Sequence, residues 1–296
     1  MAEENNITLV VACDNHYLIM LSALLKSIEL NHTRPEHIDV WIIDDDVTKA
    51  NKAKLEKSLA ADFMTINWIN GKSVIPQGMS LPLDKNTYPL NIFMRLFIPY
   101  FLPATVKKAL YLDVDMLVLT DISELWNTDI GDNIAGAVTD SICKTVNVGI
   151  KNYKDLGLDG SENYFNSGLL LMDLEKWVKN NVSQKVITCV NENRDFATFS
   201  DQYGLNVVLH KQWAHIDPLW NYYSNGDYPK PHLIHFFHRK PFYSTYNYNK
   251  DYQKLFYEYL NQTEWKNAKP VNEFSRYLVK VGNILEKIPL LFRKQA

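Results

Sequence analysis

Cysteine is scarce in this chain: Cys13, Cys143 and Cys189 are the only three among 296 residues, and no two stand in a CxxC spacing. That leaves neither a disulfide framework nor a structural zinc site, and it points to a reducing compartment. Nowhere is there a run of about 18 apolar residues, the length a membrane-crossing helix needs. The opening MAEENNITLV also lacks the positive end and apolar stretch of a signal peptide. The expectation is a cytoplasmic protein, soluble or held peripherally on the inner face of the plasma membrane. Charge excess is missing too. A formal net charge of -3 and a pI near 6.2 carry no basic footprint of a nucleic-acid binder. With no internal repeat, low-complexity tract or Gly/Ser linker, residues 1–262 read as one domain and 263–296 as an appended tail. What the chain does have is apolar content, 46%, enough for a sizeable core.

That apolar content is patterned. Residues 7–13 (ITLVVAC) form a continuous apolar run, as expected for a strand covered on both faces of a parallel sheet. From Tyr17 onward, Met20, Leu21, Leu24, Leu25 and Ile28 make one helical stripe, with Lys26 and Glu29 off it. Strand patterns return at 37–43 and 63–69, separated by a helical segment headed by Thr48. This alternation predicts βαβ units in an α/β fold, a mostly parallel sheet flanked by helices. Further strands are expected at 133–139 and 168–172, and one helix from Leu174 through Trp177, Val178, Val182, Val186 and Val190. In the tail, Phe274, Tyr277, Leu278, Val281, Leu285 and Ile288 form an amphipathic stripe that ends at Pro289 before LLFRKQA. Residues 264–296 hold seven Lys/Arg against three Asp/Glu, a local +4. That polarity suits a helix lying on an anionic membrane; the alternative is a helix docked on its own domain.

The chemistry is expected at residues 111–119, YLDVDMLVL, where an apolar strand carries Asp113 and Asp115 one residue apart. Side chains at i and i+2 share a strand face, so both carboxylates can address one divalent cation. Taking two like charges out of water costs several kcal/mol per ion, and a bound cation offsets that. The plain alternative is a solvated turn.

Four further segments accompany the pair: VACDNHY at 11–17, YFNSGLLLMDLEKW at 164–177, SDQYGLN at 200–206 and HFFHRKPF at 235–242. In this order and at these separations they resemble glycosyltransferase family 8, which includes bacterial lipopolysaccharide galactosyl- and glucosyltransferases and glycogenin. The resemblance covers residues 6 to 262 or so. It implies a GT-A fold that transfers galactose or glucose from a UDP-sugar to a glycan or glycolipid acceptor, with retention and with Mn²⁺, Mg²⁺ being the alternative ion. It implies that Asp113, Asp115 and His235 hold the metal, where an imidazole beside carboxylates favours manganese. Lys240 would reach the donor diphosphate, Arg95 the donor sugar or phosphate, and Asp14 and Asn15 the nucleoside. Taken alone, Arg95 could equally pair with a carboxylate inside the fold, and Asp14 and Asn15 could cap the helix after them. Asp113, Asn166, Asp201 and Gln202 would line the hexose pocket. Gln202 falls where a double displacement would want a carboxylate, and an amide is a poor nucleophile, so front-face substitution is favoured, with Asp201 the less favoured nucleophile. Asp140 would lie on the acceptor side.

The chain departs from the family pattern at HFFHRKPF. This segment is one residue short, lacks the glycine whose backbone approaches phosphate, and ends in Phe242 instead of tryptophan. Two rival readings stand beside the transferase. One is a non-catalytic UDP-sugar- or glycan-binding protein on the same fold. The other is a haloacid-dehalogenase-type phosphatase, although its Asp-x-Asp signature usually opens the domain instead of following more than 100 residues.

Overall fold

The structure, a computed structural model, describes residues 6–82, 90–198 and 200–272, together with 274, 277, 278, 281 and 282. In chain order come β1 (Ile7–Asp14), α1 (Leu18–Asn31), β2 (Ile38–Asp45), α2 (Lys49–Glu56) and β3 (Met64–Asn70). A 3₁₀ segment, Leu90–Phe97, runs into α3 (Ile98–Phe101). Next are β4 (Lys108–Leu112), β5 (Met116–Val118), α4 (Ile122–Trp126), β6 (Ala135–Thr139), α5 (Val146–Gly149) and β7 (Phe165–Asp173). Then follow α6 (Leu174–Lys179), α7 (Val182–Glu192), α8 (Ser200–Val208), β8 (Trp213–His215), β9 (Tyr222–Tyr223), β10 (Leu233–His235) and α9 (Lys250–Leu260).

Seven strands form one sheet in the order β3-β2-β1-β4-β7-β6-β8, and β5-β10-β9 form a second. Only β7 in the large sheet runs against its neighbours. Its N-terminal end, carrying Asn166, therefore lies on the same sheet edge as the C-terminal ends of β1, β4 and β6. Open α/β sheets bind their ligands outside the carboxyl ends of the parallel strands, and one reversed strand adds its own first residues to that edge.

The continuous apolar runs are explained by two-sided cover. Val10, Ile43, Tyr111, Leu170 and Met172 belong to one core cluster, whereas their strand neighbours Leu9, Val11, Ile42, Leu110, Leu112, Leu169 and Leu171 belong to another. Successive side chains point to opposite faces, so a strand buried on both faces cannot alternate apolar with polar.

Two expectations are corrected here. Helix α1 is not half-exposed: Met20 and Ala23 pack in a third cluster with the small sheet and α9, and Lys26 is buried as well and pairs with Glu29 at 2.6 Å. The single helix expected from Leu174 is two, because Asn181 takes a left-handed backbone, φ 57 and ψ 37, between α6 and α7. Asparagine tolerates that region better than other side chains, and Val178, beside the break, is exposed.

At the C-terminal side, Trp265, Ala268 and Val271 pack against the core, and Val271 bridges Tyr243. Phe274, Tyr277, Leu278 and Val281 are helical and 52–69% exposed. Leu285, Ile288, Pro289 and the LLFRKQA end lie outside the described residues. Among the described residues no helix is long and apolar enough to cross a membrane.

Candidate active site

Asp113 and Asp115 do not sit on one strand as expected. β4 ends at Leu112, and residues 113–115 turn the chain out of the large sheet into β5 of the small one. The turn is held from both sides: Asp113 N–H donates to Gly168 O at 2.8 Å, and Phe236 N–H donates to Asp115 O at 2.9 Å. Since β10 pairs antiparallel with β5, His235 stands opposite Met116 and is thereby delivered to the turn. One ligand atom each from Asp113, Asp115 and His235 lies within 4.8 Å of the others, so the three converge through the turn after β4 and the pairing of β10 with β5 instead of strand alternation.

The residues present fit a divalent cation. Asp115 Oδ1 is buried, 3.2 Å from His235 Nε2, yet it accepts no hydrogen bond among the described residues. Asp113 Oδ1 is engaged by Tyr111 OH at 2.8 Å and Arg95 Nη2 at 3.0 Å, which turns Oδ2 toward Gly168. A Cβ at that glycine would meet Asp113 Oδ2 at 2.7 Å and His235 Cε1 at 2.9 Å, so the absent side chain keeps this space open. Two carboxylates and one imidazole together offer the oxygen and nitrogen donors that a divalent cation takes. Burial alone would raise the Asp115 carboxyl, but Lys240 and His235 beside it hold it well below the usual carboxylate range. Lys240 Nζ lies 2.5 Å from Asp115 Oδ2 and also donates to Phe236 O at 2.7 Å.

Arg95 is buried. It pairs with Asp113 and, at 3.3 Å, with Asp201, donates to the carbonyls of Ser167 and Ile92, and lies over the Tyr111 ring at 4.4 Å. It thus occupies the ion-paired position that its sequence alone left open. Asp201, in the first turn of α8, also accepts Ser167 Oγ at 3.0 Å. Burial pushes its carboxyl up, against the opposing charge of Arg95.

Beside the carboxylates lies a buried amide network. Gln202 Oε1 accepts from Asn166 Nδ2 (3.0 Å) and Ser167 N–H (3.1 Å), and its Nε2 donates to Asp140 at 3.2 Å. Asp140, expected on the acceptor side, is itself buried. One oxygen accepts the N–H groups of Ile142 and Cys143, and the other accepts Tyr223 OH at 2.9 Å together with the amides of Asn166 and Gln202. Asp14 accepts from Tyr17 N–H at 2.7 Å, while Asn15 Oδ1 accepts from Thr48 N–H and Asn51, tying the β1 loop to the start of α2.

Sequence reasoning missed Tyr111, Asn221 and Tyr223. Tyr111 had a signal, because at i−2 it shares the strand face that leads to Asp113. Asn221 and Tyr223 had none, since they lie in a turn-rich stretch and their side chains reach Asn166, more than 50 residues away.

Comparison with known proteins agrees with this geometry. The profile described as Glycosyl transferase family 8 matches residues 8–264. The chain is 27% identical over 288 residues to General stress protein A of Bacillus subtilis (strain 168), covering 86% of this chain and 94% of that protein. It is 27% identical over 198 residues to the lipopolysaccharide 1,2-glucosyltransferase of Escherichia coli (strain K12), covering 66% of this chain and 56% of that one. Among solved structures, galactosyltransferase LgtC in complex with donor and acceptor sugar analogs superposes with a TM-score of 0.70 at 23% identity, covering 88% of this chain and 99% of the other. The α/β architecture described above is the GT-A fold.

Proposed function

Since the chain belongs to glycosyl transferase family 8, we propose that it moves galactose or glucose from a UDP-sugar to a glycan acceptor in cell-surface polysaccharide or lipopolysaccharide synthesis, with retention of configuration. The observation that carries this reading is the convergence of Asp113, Asp115 and His235 beside the Asn166–Gln202 amide network. These three residues would hold Mn²⁺, which when bound supplies positive charge to the departing diphosphate. Lys240, at the edge of the same cluster, adds a second cation for that anion. Asp14, the last residue of β1, and Asn15 after it would contact the nucleoside.

Gln202 favours front-face substitution. Its amide is held at both ends and is a weak nucleophile, so the acceptor hydroxyl attacks from the side the diphosphate leaves, and a phosphate oxygen takes the proton. Asp201 is less suited to attack, being clamped by Arg95 and Ser167. Asp140 contributes by ordering Asn166, Gln202 and Tyr223 around the hexose.

A panel of UDP-sugars assayed for hydrolysis and transfer, with and without Mn²⁺, tests the reading. Turnover of UDP-galactose or UDP-glucose that is lost on chelation is expected. Measurable UDP binding with no turnover of any donor would favour the binding module instead, and phosphate release from simple esters would favour the phosphatase.

The exposed stripe Phe274, Tyr277, Leu278 and Val281, in a segment of local charge +4, supports peripheral contact with an anionic bilayer. Removing residues 273–296 is expected to abolish sedimentation with anionic vesicles while leaving turnover on a soluble acceptor within about twofold, since the apolar stripe and not the active site supplies the contact. Unchanged sedimentation would dispose of the membrane reading.

A further inference from the structure

The metal cluster is backed by a chain of amides that runs from the hexose pocket to His235. Asn166 Oδ1 accepts the backbone N–H of Gly168 at 3.1 Å, a group that can only donate. Asn166 Nδ2 faces the Asp140 carboxylate, a group that here only accepts. These two fixed ends settle which way the Asn166 amide points. Asn221 then meets Asn166 Oδ1 at 2.8 Å and must present its Nδ2 there. Its carbonyl oxygen is left facing His235 Nδ1 at 2.9 Å. An oxygen with no proton to give obliges that ring nitrogen to be the donor.

From this sequence of constraints we infer that Asn221 is a positioning residue: it takes the Nδ1–H of His235 and so holds the ring with Nε2 turned into the cluster, 3.2 Å from Asp115 Oδ1, where a cation would meet it. The Tyr223 ring, edge-on to the imidazole at 5.4 Å and 81°, limits its rotation from another side. Asn221 and His235 are both buried, so water is not available to replace the amide oxygen. Metal-bound histidines depend on such partners for both tautomer and orientation. Because Asn166 is shared, the same relay ties the pocket that receives the hexose to the ligand that receives the ion. The inference deepens the transferase reading and rests on it for the role of the ion, but the contact between Asn221 and His235 does not.

Titration calorimetry with Mn²⁺ tests it. Asn221→Leu, similar in size but without an acceptor, is expected to weaken Mn²⁺ binding by about 10- to 100-fold, and Asn221→Asp, which restores an acceptor at Nδ1, is expected to recover most of that loss. Nitrogen-15 NMR of the wild-type protein loaded with Mg²⁺ gives a reading that needs no folded Asn221 variant: His235, identified by its loss in His235→Gln, is expected to bear its proton on Nδ1. Wild-type Mn²⁺ affinity in a folded Asn221→Leu, no recovery in Asn221→Asp, or a loaded His235 protonated on Nε2 overturns the inference. Failure of every UDP-sugar to turn over, with the metal affinities as stated, would remove the transferase reading and leave the relay standing.

Discussion

Asp115→Asn is expected to lower Mn²⁺-dependent transfer by about 10³-fold or more while the protein remains folded. Asp115 supplies a buried oxygen that accepts no hydrogen bond among the described residues, and it is the carboxylate that lies against both His235 and Lys240. Replacing it with an amide of the same size removes one of the three proposed ligands and a full negative charge. Removing a single preorganised charge-stabilising group costs roughly 10²–10³ in rate, or about 3–4 kcal/mol, and losing the cation adds to that. The backbone of the turn is anchored by Phe236 N–H and Gly168 O, neither of which needs the carboxylate. The substitution does leave Lys240 without its counter-ion, but that ammonium keeps its bond to Phe236 O, so a lowering of Tm by only a few degrees is expected. Initial rates across a Mn²⁺ titration, with calorimetry on the same samples, check both statements. Wild-type rates at saturating Mn²⁺ would show that the ion is held elsewhere or is not needed.

The distance between sequence and structure at this site has a physical pattern. The sheet was legible because strands buried on both faces must be apolar throughout, and ITLVVAC could hardly be anything else. The Asp-x-Asp pair was legible as a candidate metal site for a reason that turned out not to apply. Strand alternation was expected to align the carboxylates, whereas the chain leaves the sheet at Asp113, and the pairing of β10 with β5 brings His235 to them. The register of two short strands more than 100 residues apart has no local signature. The reversed direction of β7, which puts Asn166 at the ligand-binding edge, is equally invisible in periodicity. Lys26 shows the same limit: a charge off the helical stripe reads as solvent-facing, yet here it is buried beside Glu29. Asn181 was the opposite case, a local signal present in the Asn-Asn dipeptide but outweighed by the regular spacing of valines on either side. Asn221 and Tyr223 act wholly through partners far away in sequence, so only coordinates could find them.

Arg95→Met is expected to destabilise the fold by about 3–5 kcal/mol, the usual cost of stripping one partner from a buried ion pair, which for a domain of this size corresponds to a fall in Tm on the order of 10 °C. The guanidinium serves Asp113 and Asp201 together and also satisfies the Ser167 and Ile92 carbonyls. Methionine fills the volume and lies over Tyr111, but it leaves Asp201 buried without a counter-charge. The loss should depend on pH in a definite direction. Burial already raises the Asp201 carboxyl in the folded protein, with Arg95 opposing, and removal of Arg95 lets it rise further. A carboxyl whose folded pKa exceeds its unfolded value binds more protons when folded, so its contribution to stability falls as pH rises from the unfolded value, about 3.9, through the folded one. The gap in Tm between wild type and Arg95→Met should therefore be small near about pH 4 and full near about pH 7. Adding Asp201→Asn should close part of it at the higher pH, because the amide needs no counter-charge. A gap that is the same at both values, or one that Asp201→Asn leaves untouched, would mean that Arg95 stabilises the fold through packing over Tyr111 and its carbonyl bonds, and not through the carboxylates it lies between.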